Sequence, residues 1–426
     1  MLSKFIVAIL FCFLLLPKVY AQNTLTEYIR IAKENSPLIR DFKNQSIANK
    51  AEAERLKALF NKPRLDLSGN YLLAPVYNTD KNQLELNPKS AVNYYGYDLG
   101  NTNGGAYQAL LTLTRPLFNS RVSETVANQS VVTAEVNDNA AILSAHDLEK
   151  LVTDQYILCL QDNKQADYAR DILALLAQQT GIVRKFVEHG LLKSSDLTLI
   201  NIEQEGIQGL LATYEANYRR DFLDLKLLAG IKDTSVVILD SVSIHLTTEV
   251  STSAYLNKYR LDSLALETTQ KAFETKYKPQ ISFFTNTGLN ANYIPAIPNR
   301  FGLSAGLSLT WNILDGRQKY LNRNKTNALL NSVKGYKENF QTQNTVRKAK
   351  ILTELSAYDN RIKIARRQID GYNELLNAYK RQIIQGELSV IDFINVLKNK
   401  SATERDYVLL QTNRNLLINS YNYWNW

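Results

Sequence analysis

The chain contains very few of the side chains that most enzymes use for chemistry. Of its 426 residues, two are cysteines and three are histidines. None of His146, His189 and His245 stands at metal-ligand spacing, and the sequence has neither a nucleophile elbow nor a phosphate-binding glycine loop after a strand. We therefore expect that the protein is not an enzyme and that it has no catalytic residues, no metal and no cofactor.

A long hydrophobic run is also absent. The longest apolar stretch, FIVAILFCFLLL, follows Lys4 and has 12 residues, whereas a helix needs about 20 to span a bilayer. Pro17 ends this stretch, and VYA at residues 19–21 offers the small side chains that a signal peptidase recognises. These features predict a secretory signal peptide over residues 1–21.

Removal of that segment would leave one cysteine and a modest positive charge. Cys12 would leave with the signal peptide, so Cys159 would have no partner for an intramolecular disulfide. Two lysines would leave as well, which lowers the formal net charge from +9 to +7. A basic charge is typical of nucleic-acid-binding proteins, but an exported protein rarely meets nucleic acid. We expect no nucleic-acid partner.

The sequence contains an internal repeat with an offset of 196 residues. Gly190 is followed six residues later by Asp196, and Gly386 is followed six residues later by Asp392. Each glycine stands between two apolar helical patterns, as expected where one helix ends and another begins. The same chain reversal is therefore predicted twice, near residue 190 and near residue 386.

The repeat extends well beyond these reversals. LTRPLFNSR at residues 113–121 aligns with LTWNILDGR at residues 309–317 at the same offset. Gly230 closes a helical pattern, and the segment after it is rich in β-branched residues, which predicts a short β-rich connection. We therefore predict a first repeat over residues 22–240 and a second over residues 241–426, each with a helix, a β-hairpin and two long helices.

The strand patterns occur in two pairs. FGLSAGLSLTW alternates between apolar residues and small or polar ones, and β-hairpins are predicted over residues 64–117 and 280–311. A soluble sandwich can have such strands, but the signal peptide and the glycine, serine and threonine on the second face favour a membrane barrel. Four strands cannot close a barrel, and an open sheet edge in lipid leaves backbone groups unpaired. The barrel hypothesis therefore requires several copies of the chain.

Proline and glycine are scarce in the segments that precede the reversals. From Asn119 to Val187 there is no proline and a single glycine, Gly181, which predicts a helix about 100 Å long. In the second repeat a coiled-coil seam has steps of three and four residues. Subtraction of 196 transfers this seam to the first repeat, from Cys159 to Val187, so Cys159 is predicted to be a buried seam residue. The second-repeat seam residues are Leu355, Tyr358, Ile362, Ala365, Ile369, Tyr372, Leu376, Tyr379 and Ile383.

In the order of its parts, nearly the whole predicted mature chain resembles the TolC family of outer-membrane efflux proteins. The resemblance implies a mainly α fold with membrane β-structure. In such a fold, duplicated coiled-coil hairpins form a periplasmic tunnel, and two β-hairpins per chain give four strands to a 12-strand β-barrel shared by a homotrimer. The segments that carry the resemblance are SPLI at 36–39, HGLLKSSDL at 189–197, GLSLTWNILDGRQ at 306–318 and GELSVIDFINVL at 386–397.

The resemblance also implies a function. Such proteins are passive exit ducts of tripartite efflux or type I secretion systems in the bacterial outer membrane. Their partners are a periplasmic adaptor and an inner-membrane pump or secretion transporter that supplies the energy. The alternative is a periplasmic coiled-coil scaffold or adaptor, which would not need two alternating strand pairs.

The family pattern places the periplasmic tip at the paired reversals, where it contacts the adaptor and forms the aperture. In the best-known family members, a second carboxylate three residues after the first helps to constrict the aperture. This chain has an asparagine there, so a double acidic ring is not expected. The same residues could serve only to end and cap helices. The matching tip residues are Gly190, Leu191, Asp196, Gly386, Asp392 and Asn395.

Overall fold

A computed structural model describes residues 24–71, 76–85, 94–95, 107–291, 298–385, 387 and 389–426. The predicted signal peptide, most of the loop between the first two predicted strands, and Gly386 lie outside these residues. Among the described residues, no helix has both the length and the apolar composition that crossing a membrane requires.

The helices and strands occur in the order expected of two repeats. In chain order they are α1 (Leu25–Asn35), α2 (Pro37–Asn61), β1 (Arg64–Tyr71), β2 (Val76–Asn78), β3 (Gln83–Glu85), β4 (Tyr94–Tyr95), β5 (Tyr107–Leu117), α3 (Ser120–Glu188), α4 (Ser194–Ala229), α5 (Leu256–Glu274), a 3₁₀ turn (Thr275–Tyr277), β6 (Gln280–Ala291), β7 (Phe301–Thr310), α6 (Gln318–Gln385) and α7 (Val390–Trp424). The predicted long helix is α3, which has 69 residues and no interruption.

Contacts divide the described chain into two units. The first, here called the helical unit, comprises the described residues of Met1–Phe42, Ala140–Leu256 and Lys337–Trp426. The second, the strand unit, comprises the described residues of Lys43–Asn139 and Asn257–Tyr336. Each unit combines parts of both predicted repeats, because the long helices pass from one unit into the other.

The strand unit contains a four-stranded antiparallel sheet in the order β1-β5-β6-β7. The two predicted strand pairs are β1 with β5 and β6 with β7. The central pairing of β5 with β6 joins the first repeat to the second. The edge strands β1 and β7 pair on one side only within the described chain. A separate small sheet has the order β3-β2-β4.

The register of the large sheet separates apolar from polar side chains. Residues two apart on a strand share a face, and the cross-strand partners place Leu67, Leu111, Thr287 and Leu303 side by side. This face is mainly apolar, and Arg115, Thr285 and Thr287 are its polar members. Its apolar members include Leu65, Tyr71, Ala109, Leu113, Ile281, Phe283, Leu289, Phe301, Leu307 and Leu309. The opposite face is mainly polar, with Asp66, Asn70, Gln108, Thr112, Asn286, Ser304 and Ser308. The hydrophobic side chains of β7 remain exposed in the single chain.

The helical unit contains the predicted coiled-coil seams. All nine predicted seam residues of α6 are buried or half-buried, and so are their nine counterparts in α3. Cys159 is fully buried, which confirms its predicted burial, and it packs in a core with Tyr156 and Phe222. The seams contribute to a core that includes Leu176 of α3, Ile200 of α4, Leu376 of α6 and Phe393 of α7.

The segment after Gly230 differs from the prediction. Gly230 ends α4 in the left-handed conformation, with φ 65°, as a helix C-cap glycine should. The predicted β-rich connection is wrong, because residues 231–250 form no strand. Their backbone groups bond to helix side chains instead of a neighbouring strand. The Tyr218 hydroxyl donates to the Val237 carbonyl at 2.6 Å, and the Asn422 side chain accepts from the Thr247 amide at 2.9 Å.

Candidate functional site: the paired helix reversals

The first reversal is built around Gly190. This glycine has φ 71°, a left-handed conformation that disfavours side chains. The Gly190 amide donates to the Val187 carbonyl at 3.0 Å, and the Leu191 amide donates to the Phe186 carbonyl at 2.8 Å. These bonds satisfy carbonyl groups that the end of α3 would leave without partners. Leu191 is 68% exposed at the turn.

Asp196 fixes the start of the returning helix α4. Its carboxylate Oδ2 accepts a hydrogen bond from the Lys193 amide at 3.1 Å. A carboxylate in the first helical turn is also favoured by the positive end of the helix dipole. Asp196 is half-buried. Its hydrogen bond with the backbone of Lys193, the N-cap residue, is that of the acidic residue in a capping box.

The second reversal repeats the first at the same offset. The Glu387 amide donates to the Gln382 carbonyl at 2.9 Å, which is the bond from Leu191 to Phe186 displaced by 196 residues. Ser389 is the N-cap residue of α7, and its side chain accepts a hydrogen bond from the Ile391 amide at 3.3 Å. The intervening Gly386 lies outside the described residues, so its predicted role stays a prediction.

Asp392 and Asn395 differ from Asp196 in their surroundings. Both side chains are exposed, and neither forms a hydrogen bond with the described protein. Because Ser389 already caps α7, the Asp392 carboxylate is not needed for that purpose. It remains available to interact with solvent, ions or another protein.

The two returning helices are held together just behind the reversals. Phe393, Ile394 and Leu397 of α7 are almost completely buried and share one core with Ile200 of α4. Beside this core, the Lys398 ammonium forms an ion pair with Glu203 at 3.0 Å. The sequence analysis did not single out this ion pair, because no spacing rule connects residues on different repeats.

Cys159 and His146, whose side chains are chemically reactive, are packed among other side chains in a way that indicates a structural role. Burial raises the pKa of the Cys159 thiol, which disfavours the reactive thiolate. His146 stacks on the rings of Tyr423 and Trp426 with centroid distances of 4.9 and 3.9 Å, and burial lowers its pKa. Within the described residues, no group of histidine, cysteine and acidic side chains could hold a metal ion.

Neither a protein-family model nor a curated protein sequence matches the chain. Solved structures do match it. CusC, described in a study of folding and transmembrane channel formation, is 13% identical with a TM-score of 0.70, over 94% of this chain and 92% of that chain. The outer membrane protein VceC from Vibrio cholerae is 15% identical with a TM-score of 0.68, over 94% and 95%. The Campylobacter jejuni CmeC outer membrane channel is 12% identical with a TM-score of 0.70, over 94% and 85%.

These structures define the class of fold. A long helix, a reversal and a returning helix occur twice in this chain, and four strands from the two repeats form one sheet. The chain has the fold of the outer-membrane channels that it matches over nearly its whole length. The resemblance to the TolC family predicted from the sequence is confirmed at the level of the fold.

Proposed function

We propose that the protein is an outer-membrane exit duct of a tripartite efflux or type I secretion system. The observation that carries this proposal is the four-stranded sheet, which has one mainly apolar face and, within the described residues, two edges without a further strand. The likeness of the fold to outer-membrane channels supports the same function. In this proposal a large part of the protein extends into the periplasm.

The sheet supports the membrane part of the proposal. An apolar face suits contact with lipid, and a polar face suits contact with water in a channel. The edges at β1 and β7 would leave backbone groups unpaired in lipid, at a cost of several kcal/mol per group. Three copies that join β1 of one to β7 of the next would form a closed 12-strand barrel. The proposed assembly is therefore a homotrimer.

The paired reversals support the proposed periplasmic contacts. A trimer would carry six reversals at the tip of a helical tunnel, two from each chain. Leu191 is exposed there, and we assign the tip, including Gly190, Asp196 and Gly386, to contact with a periplasmic adaptor. An inner-membrane pump or secretion transporter would supply substrate and energy.

The duct itself would act as a passive conduit. Its contribution is a water-filled path, and opening would require the helical hairpins to move apart at the tip. The exposed Asp392 is the carboxylate that we place at the aperture. Asn395, one turn further along the same helix face, is neutral, so we propose a single acidic ring.

The first test is the native mass of the full chain extracted in detergent from outer membranes, with the mass of bound detergent subtracted. We expect three times the mass of the mature chain. A water-soluble monomer found in the periplasm would contradict the proposal and would favour a periplasmic scaffold. As a control, the same preparation without detergent should lose the protein from solution, because the apolar sheet face would be exposed to water.

A further inference from the structure

Arg170 of the first repeat is neutralised by two carboxylates of its own chain. Its guanidinium forms ion pairs with Asp167 of α3 at 3.0 Å and with Glu215 of α4 at 2.7 Å. A guanidinium can hold two carboxylates at once, because it has five N–H donors in a fixed planar fork. The first repeat thus supplies its arginine with one acidic partner from the same helix and one from the returning helix.

The second repeat keeps the arginine and replaces both acidic partners. Arg366 of α6 stands at the position of Arg170, 196 residues later in the chain. The first carboxylate is replaced by Lys363, and the second is replaced by Gln411 of α7. Within the described chain, neither Lys363 nor Arg366 forms an ion pair or donates a side-chain hydrogen bond. The second arginine has therefore lost both of its counter-charges and has gained a neighbouring cation.

These two cations lie in a groove of about 430 Å³ between α6 and α7. Lys363 and Arg366 are three residues apart, so they project from one face of α6, where like charges repel each other. Arg414 lines the same groove from α7. Asp359, the carboxylate among the described lining residues, is already bound to Arg414 at 2.6 Å. Three cations against one carboxylate leave the groove with an excess of positive charge.

The other polar side chains of the groove can donate hydrogen bonds to an anion. Gln411 presents an amide, whose NH₂ group donates, where Glu215 of the first repeat presents a carboxylate that accepts. The hydroxyl of Tyr407 and the amide of Asn415 line the groove as well. All three side chains are half-buried, and none donates a hydrogen bond within the described chain. The groove is thus equipped with donors as well as with positive charge.

We propose that this groove binds a small organic anion with two carboxylates, which take the places that Asp167 and Glu215 fill in the first repeat. The Arg366 guanidinium binds both carboxylates, as Arg170 does, with Lys363 beside the first and Gln411 beside the second. This site goes beyond the proposed duct and does not depend on it, because every residue that forms the groove belongs to one chain.

Two acidic groups fit the groove better than one. In the first repeat, the two carboxylates reach Arg170 from different helices. The equivalent positions in the second repeat again lie on two helices, α6 and α7, so a ligand that fills both needs a linker between its carboxylates. Ile362 lines the groove and can contact the methylene groups of such a linker. Glutarate, a flexible aliphatic dicarboxylate, is therefore a suitable probe.

Equilibrium dialysis of the full chain in detergent against radiolabelled glutarate tests the proposal. We expect saturable binding at about 0.15 M ionic strength, where exposed charges more than about 8 Å apart are largely screened. Arg366→Gln should weaken binding about 10- to 100-fold, the loss expected when hydrogen bonds to a charged group are removed. Because Arg366 is exposed, this substitution should leave the fold intact. Absence of saturable binding to the wild-type chain would overturn the proposal.

Arg170→Gln is the matched control, because Arg170 is the equivalent arginine with acidic partners of its own. It removes the same charge from the chain and should leave the affinity for glutarate unchanged. An equal loss of affinity in Arg170→Gln and Arg366→Gln would contradict the proposed site, since binding would then follow the charge of the whole chain.

A double variant transfers the acidic partners of the first repeat to the second. Lys363→Asp with Gln411→Glu should neutralise Arg366 within the chain, so binding of glutarate should be lost while the native mass of the protein stays the same. Wild-type affinity in this variant would overturn the proposal. Arg366→Lys keeps the charge without the planar fork, and it should recover only part of the affinity lost in Arg366→Gln.

Two further probes test the chemistry of the ligand. Acetate has a single carboxylate, and inorganic phosphate has oxyanion oxygens on a single centre. Neither can fill both positions, so each should displace labelled glutarate only at a much higher concentration than unlabelled glutarate does. Displacement by acetate or phosphate at the same concentration as unlabelled glutarate would overturn the assignment to a dicarboxylate.

Discussion

Gly288 of β6 lies so close to the Ala109 carbonyl of β5 that a Cβ atom at this glycine would be 2.1 Å from the carbonyl oxygen. Its φ of 147° is also a conformation that other residues rarely adopt. The pairing of β5 with β6 is the only connection between the strands of the two repeats within the described sheet. The four-stranded sheet thus depends on a glycine at this position.

We predict that Gly288→Ala destabilises the sheet. The added methyl group must push the two strands apart, and disruption of a strained backbone position costs on the order of 1–3 kcal/mol. For the proposed trimeric barrel, the expected result is a lower yield of membrane-inserted protein and a lower temperature of trimer dissociation.

Gly302→Ala is the matched control, because Gly302 is the cross-strand partner of Gly288 on β7 and a Cβ atom there would meet nothing within 4 Å. It should behave like the wild-type protein. Equal behaviour of the two variants would contradict a special requirement for glycine at residue 288.

Substitution by arginine should have opposite effects on membrane insertion at two neighbouring residues of β7. Leu307 is on the apolar face and Ser308 on the polar face. In the proposed barrel, Leu307→Arg would place a guanidinium in lipid at a cost of about 2–4 kcal/mol near the bilayer midplane. Ser308→Arg would place it in the channel, where water and anions can solvate it.

The measurement is the amount of each variant in outer membranes, followed by the reversal potential of single channels in a salt gradient. We expect Leu307→Arg to be depleted from the membrane, and Ser308→Arg to insert and to shift ion selectivity towards anions. If Leu307→Arg inserts normally and changes selectivity, the faces of the sheet have been assigned the wrong way round.

Asp196 and Asp392 occupy equivalent positions but should have different mutant phenotypes. Asp196→Ala removes the acceptor for the Lys193 amide, and loss of an N-terminal helix cap costs about 1 kcal/mol. Asp392→Ala removes no hydrogen bond with the described protein and should change stability by less than about 0.5 kcal/mol. Its expected effect is a change in closed-state conductance.

Urea unfolding and single-channel recording separate these two outcomes. Asn395→Ala, on the same exposed face as Asp392, is the control for loss of a neutral side chain. Unchanged closed-state conductance in Asp392→Ala would count against the place of this carboxylate in the aperture.

A buried acidic pair predicts a dependence of stability on pH. Asp162 and Asp221 are both buried, and the Asp162 Oδ2 atom lacks a hydrogen-bond partner in the described chain. Burial, reinforced by the negative charge of Asp221, raises the pKa of Asp162 to about 7. In the unfolded chain the pKa of an aspartate is about 3.9. The folded protein therefore binds more protons between these values, and its stability falls as pH rises from about 4 to 7.

We predict that Asp162→Asn stabilises the helical unit at pH 8, by an amount on the order of 1 kcal/mol, and flattens the decrease between pH 4 and pH 7. Asp171→Asn removes an exposed carboxylate from the same helix and is the control. Unfolding in urea at pH 5 and pH 8 is the measurement. A loss of stability at pH 8 in Asp162→Asn would show that the carboxylate is favourable in its charged form.

The helices could be predicted closely because the information that defines them is local. The uninterrupted segment from Asn119 to Val187 became α3, which is displaced by a single residue at each end. The Ser36-Pro37 dipeptide ended one helix and began the next, since a residue before proline disfavours the helical conformation. The seam spacing was sufficient to identify the buried side of α6 before any neighbouring helix was known.

The candidate site was only partly predictable. The equal spacing of glycine and aspartate located both reversals, and the first has the expected left-handed glycine. The same spacing did not distinguish Asp196 from Asp392. The Asp196 carboxylate caps its helix, whereas the Ser389 side chain, not the Asp392 carboxylate, caps α7. Which hydroxyl or carboxylate reaches a helix end depends on backbone dihedral angles that the spacing does not specify.

The long helices, their seams and the alternation along β7 could be predicted from the amino-acid sequence, because each follows from residues close together in the chain. The duplication could be predicted as well, because the same local pattern recurs at a constant offset. Four features became known only from the folded chain: the register of β5 with β6, the helix contacts of residues 231–250, the burial of Asp162 beside Asp221, and the ion pair of Lys398 with Glu203. Those features depend on pairs of residues far apart in sequence, and only packing in three dimensions selects which distant groups meet.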